Sequence, residues 1–218
     1  MQYKNKSIQI SCDGGGATGK STGAKMISKK YKLKFLSSGL LYRYASFLVL
    51  KYKPKNKVNF LKKKFKNFDY KRLNKINLHS PKISQHASFI AKIDRVRNIL
   101  KKFQTNFSKR YKNCCIEGRD ISTKILPNSD VKFFFKCKLS TAALRRYKEL
   151  KKINPKIKLN DVQKDLRMRN IIDTKRKNSP LLKHPESIEI DSGKLSKLAM
   201  VAKMSKFIDK IIKKKHGS

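Results

Sequence analysis

The sequence predicts an α/β fold with a central five-stranded parallel sheet flanked by helices. Five short runs have the apolar or alternating composition of strands, and segments with apolar residues at helical spacing separate them. Strands that alternate with helices form parallel sheets with right-handed crossovers. The predicted strands are residues 7–12, 34–36, 114–116, 131–137 and 187–191.

Helices are predicted where apolar residues recur every three or four positions, as Ala24, Ile27 and Tyr31 do after the first strand. The longest of these segments has room for one or two helices. The segments are residues 24–31, 40–50, 83–112, 141–152 and 195–202.

Two segments lack a core-forming pattern. Residues 51–80 are charged and rich in turn formers and show no long periodic stretch, so an inserted lobe is expected there. Residues 156–178 are polar with alternating charge, which is typical of a mobile helical hairpin or lid. We therefore expect a single domain over 1–218, with its core in 1–50, 101–153 and 179–218, an insert at 51–100 and a lid at 154–178.

Composition limits the class of protein. With 218 residues, of which 39% are hydrophobic, the chain can bury the core of one compact domain. The formal net charge of +42 favours anionic partners and repels other copies, so a monomer is expected. Because the lysines are spread along the whole sequence, solvated faces explain them better than a dedicated nucleic-acid stripe. Nucleic acid is therefore not a required partner, although non-specific binding is expected.

The remaining composition indicates a soluble cytoplasmic protein. Met1 to Ile10 contain no apolar signal region, and no uncharged apolar run is long enough to cross a membrane. The four cysteines show no metal-binding spacing and fall mostly in apolar runs, so they are expected to be buried side chains. They are Cys12, Cys114, Cys115 and Cys137.

Arginine is the scarce cation, with 11 residues among the 56 basic ones. Its planar guanidinium grips phosphate and carboxylate in a fixed geometry, whereas lysine acts as a point charge. Positions that keep arginine in so lysine-rich a chain are candidates for a phosphate site.

The strongest motif is the run from Gly14 to Ser21, which matches G-x-x-x-x-G-K-[ST] between a predicted strand and a predicted helix. In such a P-loop the backbone amides surround phosphate, Lys20 reaches the β- and γ-phosphates, and Ser21 holds Mg²⁺. Binding of a nucleoside triphosphate follows, but GTPases, motor ATPases and small-molecule kinases share the motif. The predicted ATP-binding residues are Gly14, Gly15, Gly16, Ala17, Thr18, Gly19, Lys20, Ser21 and Thr22.

Further motifs, in order along nearly the whole chain, resemble those of bacterial cytidylate kinases. The first run, from Asp13 to Thr22, contains the P-loop. The others are Leu36-Ser-Ser-Gly-Leu-Leu-Tyr-Arg43, Ala87-Ser88 with Arg95-Val-Arg97, Glu117-Gly-Arg-Asp120, Asp173 and Arg176 with Pro180-Leu181, and Asp191-Ser192.

This resemblance implies a three-layer P-loop kinase fold and transfer of the γ-phosphoryl group of ATP to CMP or dCMP. It implies that 51–100 is the nucleoside-monophosphate-binding insert and that Lys20, Arg119 and Arg176 are catalytic. The implied substrate-binding residues are Arg43, Arg119 and Arg176 for the CMP phosphate, together with Ser38; Ser88, Arg97 and Asp120 for the cytosine; and Arg169 and Asp173 for the ribose. Five of the 11 arginines fall on these positions.

The chain departs from the family pattern in the P-loop and the lid. Gly15 and Gly16 stand where the family usually has Pro and Ser, and Ala17 stands where it usually has glycine. In the lid, Ile172 and Thr174 occupy positions that are usually arginine, and Asn170 replaces an acid. The insert is also shorter than in the longer members. Because the lid lacks the two usual arginines, we expect weaker neutralisation of charge on the ATP side.

Three alternatives remain open at the level of sequence. A related small P-loop kinase would act on UMP or a non-nucleotide acceptor. The net charge of +42 is compatible with a basic RNA-associated ATPase. The missing lid arginines are compatible with a nucleotide-binding module without turnover.

Overall fold

The computed structural model describes residues 7–217, and these form two compact units. Unit 1 contains residues up to Phe35 and from Lys112 onward, and unit 2 is Leu36–Tyr111. The elements are β1 (Gln9–Gly14), α1 (Lys20–Lys30), β2 (Lys34–Ser37), α2 (Ser38–Tyr52), α3 (Lys57–Lys66), α4 (Pro81–Ile90), α5 (Asp94–Arg110), β3 (Cys114–Gly118), β4 (Val131–Lys136), α6 (Leu139–Lys151), α7 (Leu159–Lys175), β5 (Ile188–Asp191) and α8 (Lys197–His216).

The five strands form one sheet in the order β2-β3-β1-β4-β5. β1 is parallel to both of its neighbours, with Ile10 opposite Cys115 on β3 and Val131 on β4. β4 and β5 are also parallel. The predicted architecture, a five-stranded parallel sheet flanked by helices, is confirmed.

The core of unit 1 lies between the sheet and helices α1 and α8. Ile27 of α1 and Met204 and Ile208 of α8 are fully buried together with Phe133 of β4. Side chains of this kind are buried because β1 and β4 are central strands, which exclude water from both faces. Thiol groups share this core, since Cys12, Cys114 and Cys115 are buried as predicted, while Cys137 is half-buried.

The carboxyl ends of the central strands meet at one edge of the sheet. Asp13 pairs in register with Gly118 of β3, and Gly14 pairs with Phe135 of β4. The strand order reverses at β1, and such reversals open a crevice at the carboxyl edge where ligands bind in α/β proteins. The segments that follow β1 and β3 therefore begin side by side.

Unit 2 is helical and has an aromatic core. The ring of Tyr44 stacks on that of Phe68 with centroids 4.6 Å apart, and Phe65 and Phe103 pack against this pair. One or two helices were predicted in 83–112, and the structure has two, α4 and α5.

Two details differ from the sequence-based expectation. Residues 51–80 contain a regular helix, α3, whose buried face is only Leu61 and Phe65, so lysines masked its periodicity. Residues 156–178 form one helix, α7, rather than a hairpin. The partner of α7 is α6, against which it packs through Ala143, Val162 and Leu166.

Candidate active site

The loop between β1 and α1 has the backbone of a phosphate-binding loop. Gly14 has φ 152°, and a Cβ built on it would lie 2.4 Å from the backbone oxygen of Phe135, so only glycine fits. Gly19 precedes α1 with φ 77°. The backbone amides at the start of α1 and in this loop have no helical partners of their own and can bind an anion.

Ala17 takes the left-handed conformation, with φ 55°. The loop therefore keeps the backbone of a glycine at this position although a side chain is present, which costs about 1 kcal/mol. The departure from the family pattern at Ala17 thus leaves an alanine in a conformation that glycine would adopt freely.

Thr18 is held from two sides. Its hydroxyl donates to the carbonyl of Gly15 (3.0 Å), and its own carbonyl accepts from the hydroxyl of Ser192, just after β5 (2.8 Å). Arg145 of α6 in turn donates to the hydroxyl and carbonyl oxygens of Ser192 (2.9 and 2.8 Å). Arg145 was not among the predicted site residues, although the scarcity of arginine was a signal for it.

Lys20 begins α1 as a buried cation. Its Nζ lies 3.3 Å from the carboxylate of Glu117 at the end of β3, and both side chains are more than nine-tenths buried. Burial lowers the pKa of Lys20 to about 8; Arg119 and Arg169 act in the same direction, and Glu117 opposes them. Burial disfavours the charged form of Lys20, and an anion bound beside it would stabilise that form.

Arg119, just after β3, connects the P-loop with the end of α7. Its NH1 donates to the carbonyl of Gly14 (2.7 Å), and its Nε donates to Asp173 (2.7 Å). Arg176 donates to the other oxygen of Asp173 (3.3 Å) and lies 4.0 Å from Asp120. The structure therefore brings together Lys20, Arg119, Asp120, Asp173 and Arg176 of the predicted site residues.

The carboxylate of Asp173 is shared by the two guanidinium groups. Burial alone would raise its pKa, but Arg119, with Arg169 and Arg176, holds the pKa of this carboxyl below its ordinary value. Asp173 is therefore ionised at neutral pH, and it bridges Arg119 and Arg176.

The substituted residues of α7 lie beside the P-loop and at its surface. Asn170 accepts a long hydrogen bond from the Gly16 amide (3.4 Å), and a Cβ at Gly16 would lie 2.8 Å from Leu166. Thr174 is exposed and bonds back to the carbonyl of Asn170 (2.9 Å), and Ile172 is half-buried. A neutral amide therefore contacts the loop where the family pattern has an acid.

Asp13 links the base of the P-loop to the segment after Asp120. It is fully buried, and its two oxygens accept from the amides of Ile121 (2.8 Å) and Ser122 (2.7 Å) and from the Ser122 hydroxyl (2.6 Å). Burial raises the pKa of Asp13, and these hydrogen bonds oppose the shift.

Replacing Asp13 with alanine is expected to lower the free energy of unfolding by about 3 kcal/mol, because two buried amides lose their acceptor. Urea unfolding followed by circular dichroism measures the change. The matched control is Asp165→Ala on the exposed face of α7, which should change stability by less than about 0.5 kcal/mol. Equal losses in the two variants would contradict this role of Asp13.

Of the remaining predicted residues, Arg169 lies on α7, near enough to influence the pKa of Lys20 and of Asp173, and the others belong to unit 2 or to the first turn of α1. Arg43 donates to Nδ1 of His79 (3.0 Å), and Ser38 is buried in the first turn of α2. Arg97 is buried, donates to the carbonyl of Ala91 (3.3 Å) and lies over the Tyr42 ring at 5.7 Å.

Ser88 bonds back to the carbonyl of Ser84 within α4 (3.5 Å). In the first turn of α1, Ser21 is half-buried and Thr22 exposed. Residues 7–217 contain no cluster of three or more His, Cys, Asp or Glu side chains arranged to hold a metal. No helix among them is long and apolar enough to cross a membrane.

Comparison with known proteins decides the family. Residues 10–210 match the family model for cytidylate kinase. The chain belongs to the cytidylate kinase family. It is 34% identical to the cytidylate kinase of Bartonella tribocorum, over 95% of this chain and 97% of that protein. It is 33% identical to the cytidylate kinase of Fusobacterium nucleatum, over 94% and 98% of the two chains.

A solved structure supports the fold. An uncharacterized protein from Eubacterium ventriosum superposes with a TM-score of 0.52 at 16% identity, covering 94% of this chain and 99% of its own. At this level of identity the likeness shows the fold of the present chain and says nothing about its chemistry.

Proposed function

We propose that this chain transfers the γ-phosphoryl group of ATP to CMP or dCMP, giving ADP and CDP or dCDP. The observation that carries the proposal is a buried P-loop lysine, Lys20, whose neighbour Arg119 contacts both the loop and α7. Membership of the cytidylate kinase family selects the acceptor.

The donor site is the P-loop, residues 14–22. Its glycines leave the backbone bare, and its amides and the α1 N-terminus attract the β- and γ-phosphates. Lys20 would contact oxygens of the β- and γ-phosphates, where negative charge grows on the departing ADP during transfer. Arg145, which is anchored on Ser192, adds a further cation beside Gly19.

The chain also offers suitable groups for Mg²⁺. Mg²⁺ keeps most of its ligands as water and phosphate oxygens and takes only one or two from the protein. The Ser21 hydroxyl follows Lys20 directly, and the Glu117 carboxylate lies 3.3 Å from the Lys20 ammonium group. Ser21 and Glu117 fit such a site, in which the ion would neutralise phosphate charge.

For the acceptor we propose that Arg43, Arg119 and Arg176, with Ser38, hold the CMP phosphate. We assign the cytosine to Ser88, Arg97 and Asp120, and the ribose to Arg169 and Asp173. In this scheme 51–100 is the acceptor-binding insert and 154–178 the lid of a single kinase domain. The assignments rest on the matching family motifs.

Transfer requires alignment rather than covalent catalysis. An oxygen of the CMP phosphate attacks the γ-phosphorus, the bond to the β-bridging oxygen breaks, and ADP leaves with that electron pair. Arg119 and Arg176 would hold the attacking group, and Lys20 would stabilise the leaving one. Closure of the lid would exclude water, which otherwise accepts the phosphoryl group.

An acceptor panel tests the proposal. ADP release is followed with ATP and each of CMP, dCMP, UMP and AMP, and with single-stranded RNA. We expect turnover with CMP or dCMP to exceed that with the other acceptors at least tenfold. Turnover confined to UMP, stimulation by RNA alone, or ATP binding without turnover on any acceptor would overturn it.

The pKa of Lys20 predicts the pH dependence of ATP use. Lys20 titrates near 8 in the empty site, so above about pH 8 an increasing fraction is neutral and attracts phosphate less. We expect kcat/KM for ATP to fall toward tenfold per pH unit between about pH 8.5 and 9.5. In Lys20→Arg, which stays charged, this fall should disappear. A flat wild-type profile would contradict the prediction.

A monomeric state and a cytoplasmic location belong to the same proposal. The net charge of +42 opposes self-association, and the proposed substrates are metabolites of the cytoplasm.

A further inference from the structure

One segment of unit 2 concentrates positive charge. Half of residues 51–66 are lysines and none is acidic, whereas basic residues make up about a quarter of the chain. All eight lysines are exposed, and none forms an ion pair with another residue in the described range 7–217. They are Lys51, Lys53, Lys55, Lys57, Lys62, Lys63, Lys64 and Lys66.

Some lysines of unit 1, unlike those of 51–66, have acidic partners. In unit 1, Lys132 pairs with Glu186, Lys136 with Glu189 and Lys215 with Asp130. In unit 2 the sequence offers only Asp69 and Asp94 as acids. The charge of residues 51–66 is thus left for an external anion.

Aromatic rings lie among these lysines. Tyr52, at the end of α2, is 52% exposed, and its ring lies 5.7 Å from that of Phe60 on α3. The ammonium groups of Lys51 and Lys64 lie 5.4 and 5.3 Å from the centre of the Tyr52 ring. Leu61 and Phe65 are buried and fix α3, so the Phe60 ring and Lys64 on this helix lie beside the Tyr52 ring and Lys51 at the end of α2.

Exposed rings flanked by cations fit unpaired bases joined by phosphates. Bases stack on exposed aromatic side chains, and lysines track the phosphate backbone. A duplex keeps its bases stacked inside and would use only the cations. Since CMP, one of the two proposed acceptors, is a monomer of RNA, we take RNA as the single strand, and this choice rests on the proposed function.

We propose that the lysine–aromatic surface, defined as Tyr52, Phe60 and the eight lysines of 51–66, binds single-stranded RNA. The surface lies within the proposed acceptor-binding insert, but none of its residues is among those assigned to ATP or to the acceptor. α3 is about 15 Å long, enough for three or four nucleotides.

The test measures binding of the full chain to a labelled oligouridylate of about 12 nucleotides by fluorescence anisotropy, at several salt concentrations. Two triple variants remove the same charge: K62Q/K63Q/K64Q from the surface, and K148Q/K151Q/K152Q from exposed positions of unit 1. Tyr52→Ala removes the ring, and Tyr52→Phe restores it.

We expect the surface triple variant to weaken binding at least tenfold and to make the salt dependence shallower by about 2 in slope. The control triple variant should weaken binding less than threefold. Tyr52→Ala should weaken binding at least fivefold and Tyr52→Phe less than twofold, and all four variants should keep the wild-type rate with CMP.

Equal weakening by the two triple variants would overturn the proposal, because binding would then follow net charge alone. Equal affinity for duplex RNA of the same length would also overturn it, as would unchanged binding in Tyr52→Ala. The proposal would also be overturned if the surface variants weakened binding to anionic phospholipid vesicles but not binding to RNA. Loss of CMP turnover in the wild type would concern the active site and leave the RNA result intact.

Discussion

Replacing Arg119 with alanine is expected to lower the rate of CMP phosphorylation about 10³-fold, while ATP affinity changes less than about threefold. The guanidinium spans the Gly14 carbonyl and Asp173, so its loss removes the proposed phosphate clamp but none of the P-loop amides. Steady-state kinetics with varied CMP and equilibrium binding of ATP measure the two effects separately.

The matched control is Arg146→Ala. Arg146 lies on α6 and pairs only with Glu149 among the contacts that the structure shows (2.9 Å), so its loss should change turnover less than about twofold. If Arg119→Ala keeps wild-type turnover, the clamp assignment is wrong. If ATP affinity falls as much as turnover does, Arg119 acts on the donor loop through Gly14 instead.

Replacing Lys20 with alanine is expected to lower kcat about 10³-fold and also to weaken ATP binding, because the cation that spans the β- and γ-phosphates is lost. The exposed Lys29→Ala on the same helix should behave as wild type. Stopped-assay kinetics with saturating CMP and varied ATP give kcat and the KM for ATP.

Lys20→Ala also removes the ammonium group beside the buried Glu117 carboxylate, and breaking a buried ion pair in this way destabilises a fold by about 3 kcal/mol. The double variant Lys20→Ala/Glu117→Gln removes that charge, and the single variant Glu117→Gln measures the effect of the carboxylate itself on turnover. Thermal unfolding close to that of the wild type, with turnover still lost, is the expected result. Recovery of turnover in the double variant would place the defect in folding and would contradict a role for Lys20 in transfer.

The strands could be predicted because they are short and apolar, and their centres carry Cys12, Cys115 and Phe133, which water must not reach. Helix α3 could not, because only Leu61 and Phe65 are buried and half of its ten residues are lysines. A periodicity carried by two residues is too weak to distinguish from chance. The structure shows the helix because it shows that these two side chains are buried.

Much of the candidate site was visible as motifs, but its connections were not. Asp13 and Glu117 are far apart in sequence from the amides and the ammonium group that they contact, so neither contact can be inferred from spacing. Arg145 lies outside the motifs that carried the resemblance, and its contact with Ser192 depends on the docking of α6. Such contacts arise from the packing of distant elements, which one sequence does not specify.

If Arg119 and Arg176 hold the acceptor phosphate as proposed, the bridge formed by Asp173 would turn acceptor binding into an exchange of anions. Arg119 and Arg176 already hold one carboxylate, so an incoming group gains only by carrying more charge than the one it displaces. A dianionic phosphate satisfies that condition, whereas chloride or a monocarboxylate does not. In the proposed site the pair would therefore work as a threshold for ligand charge.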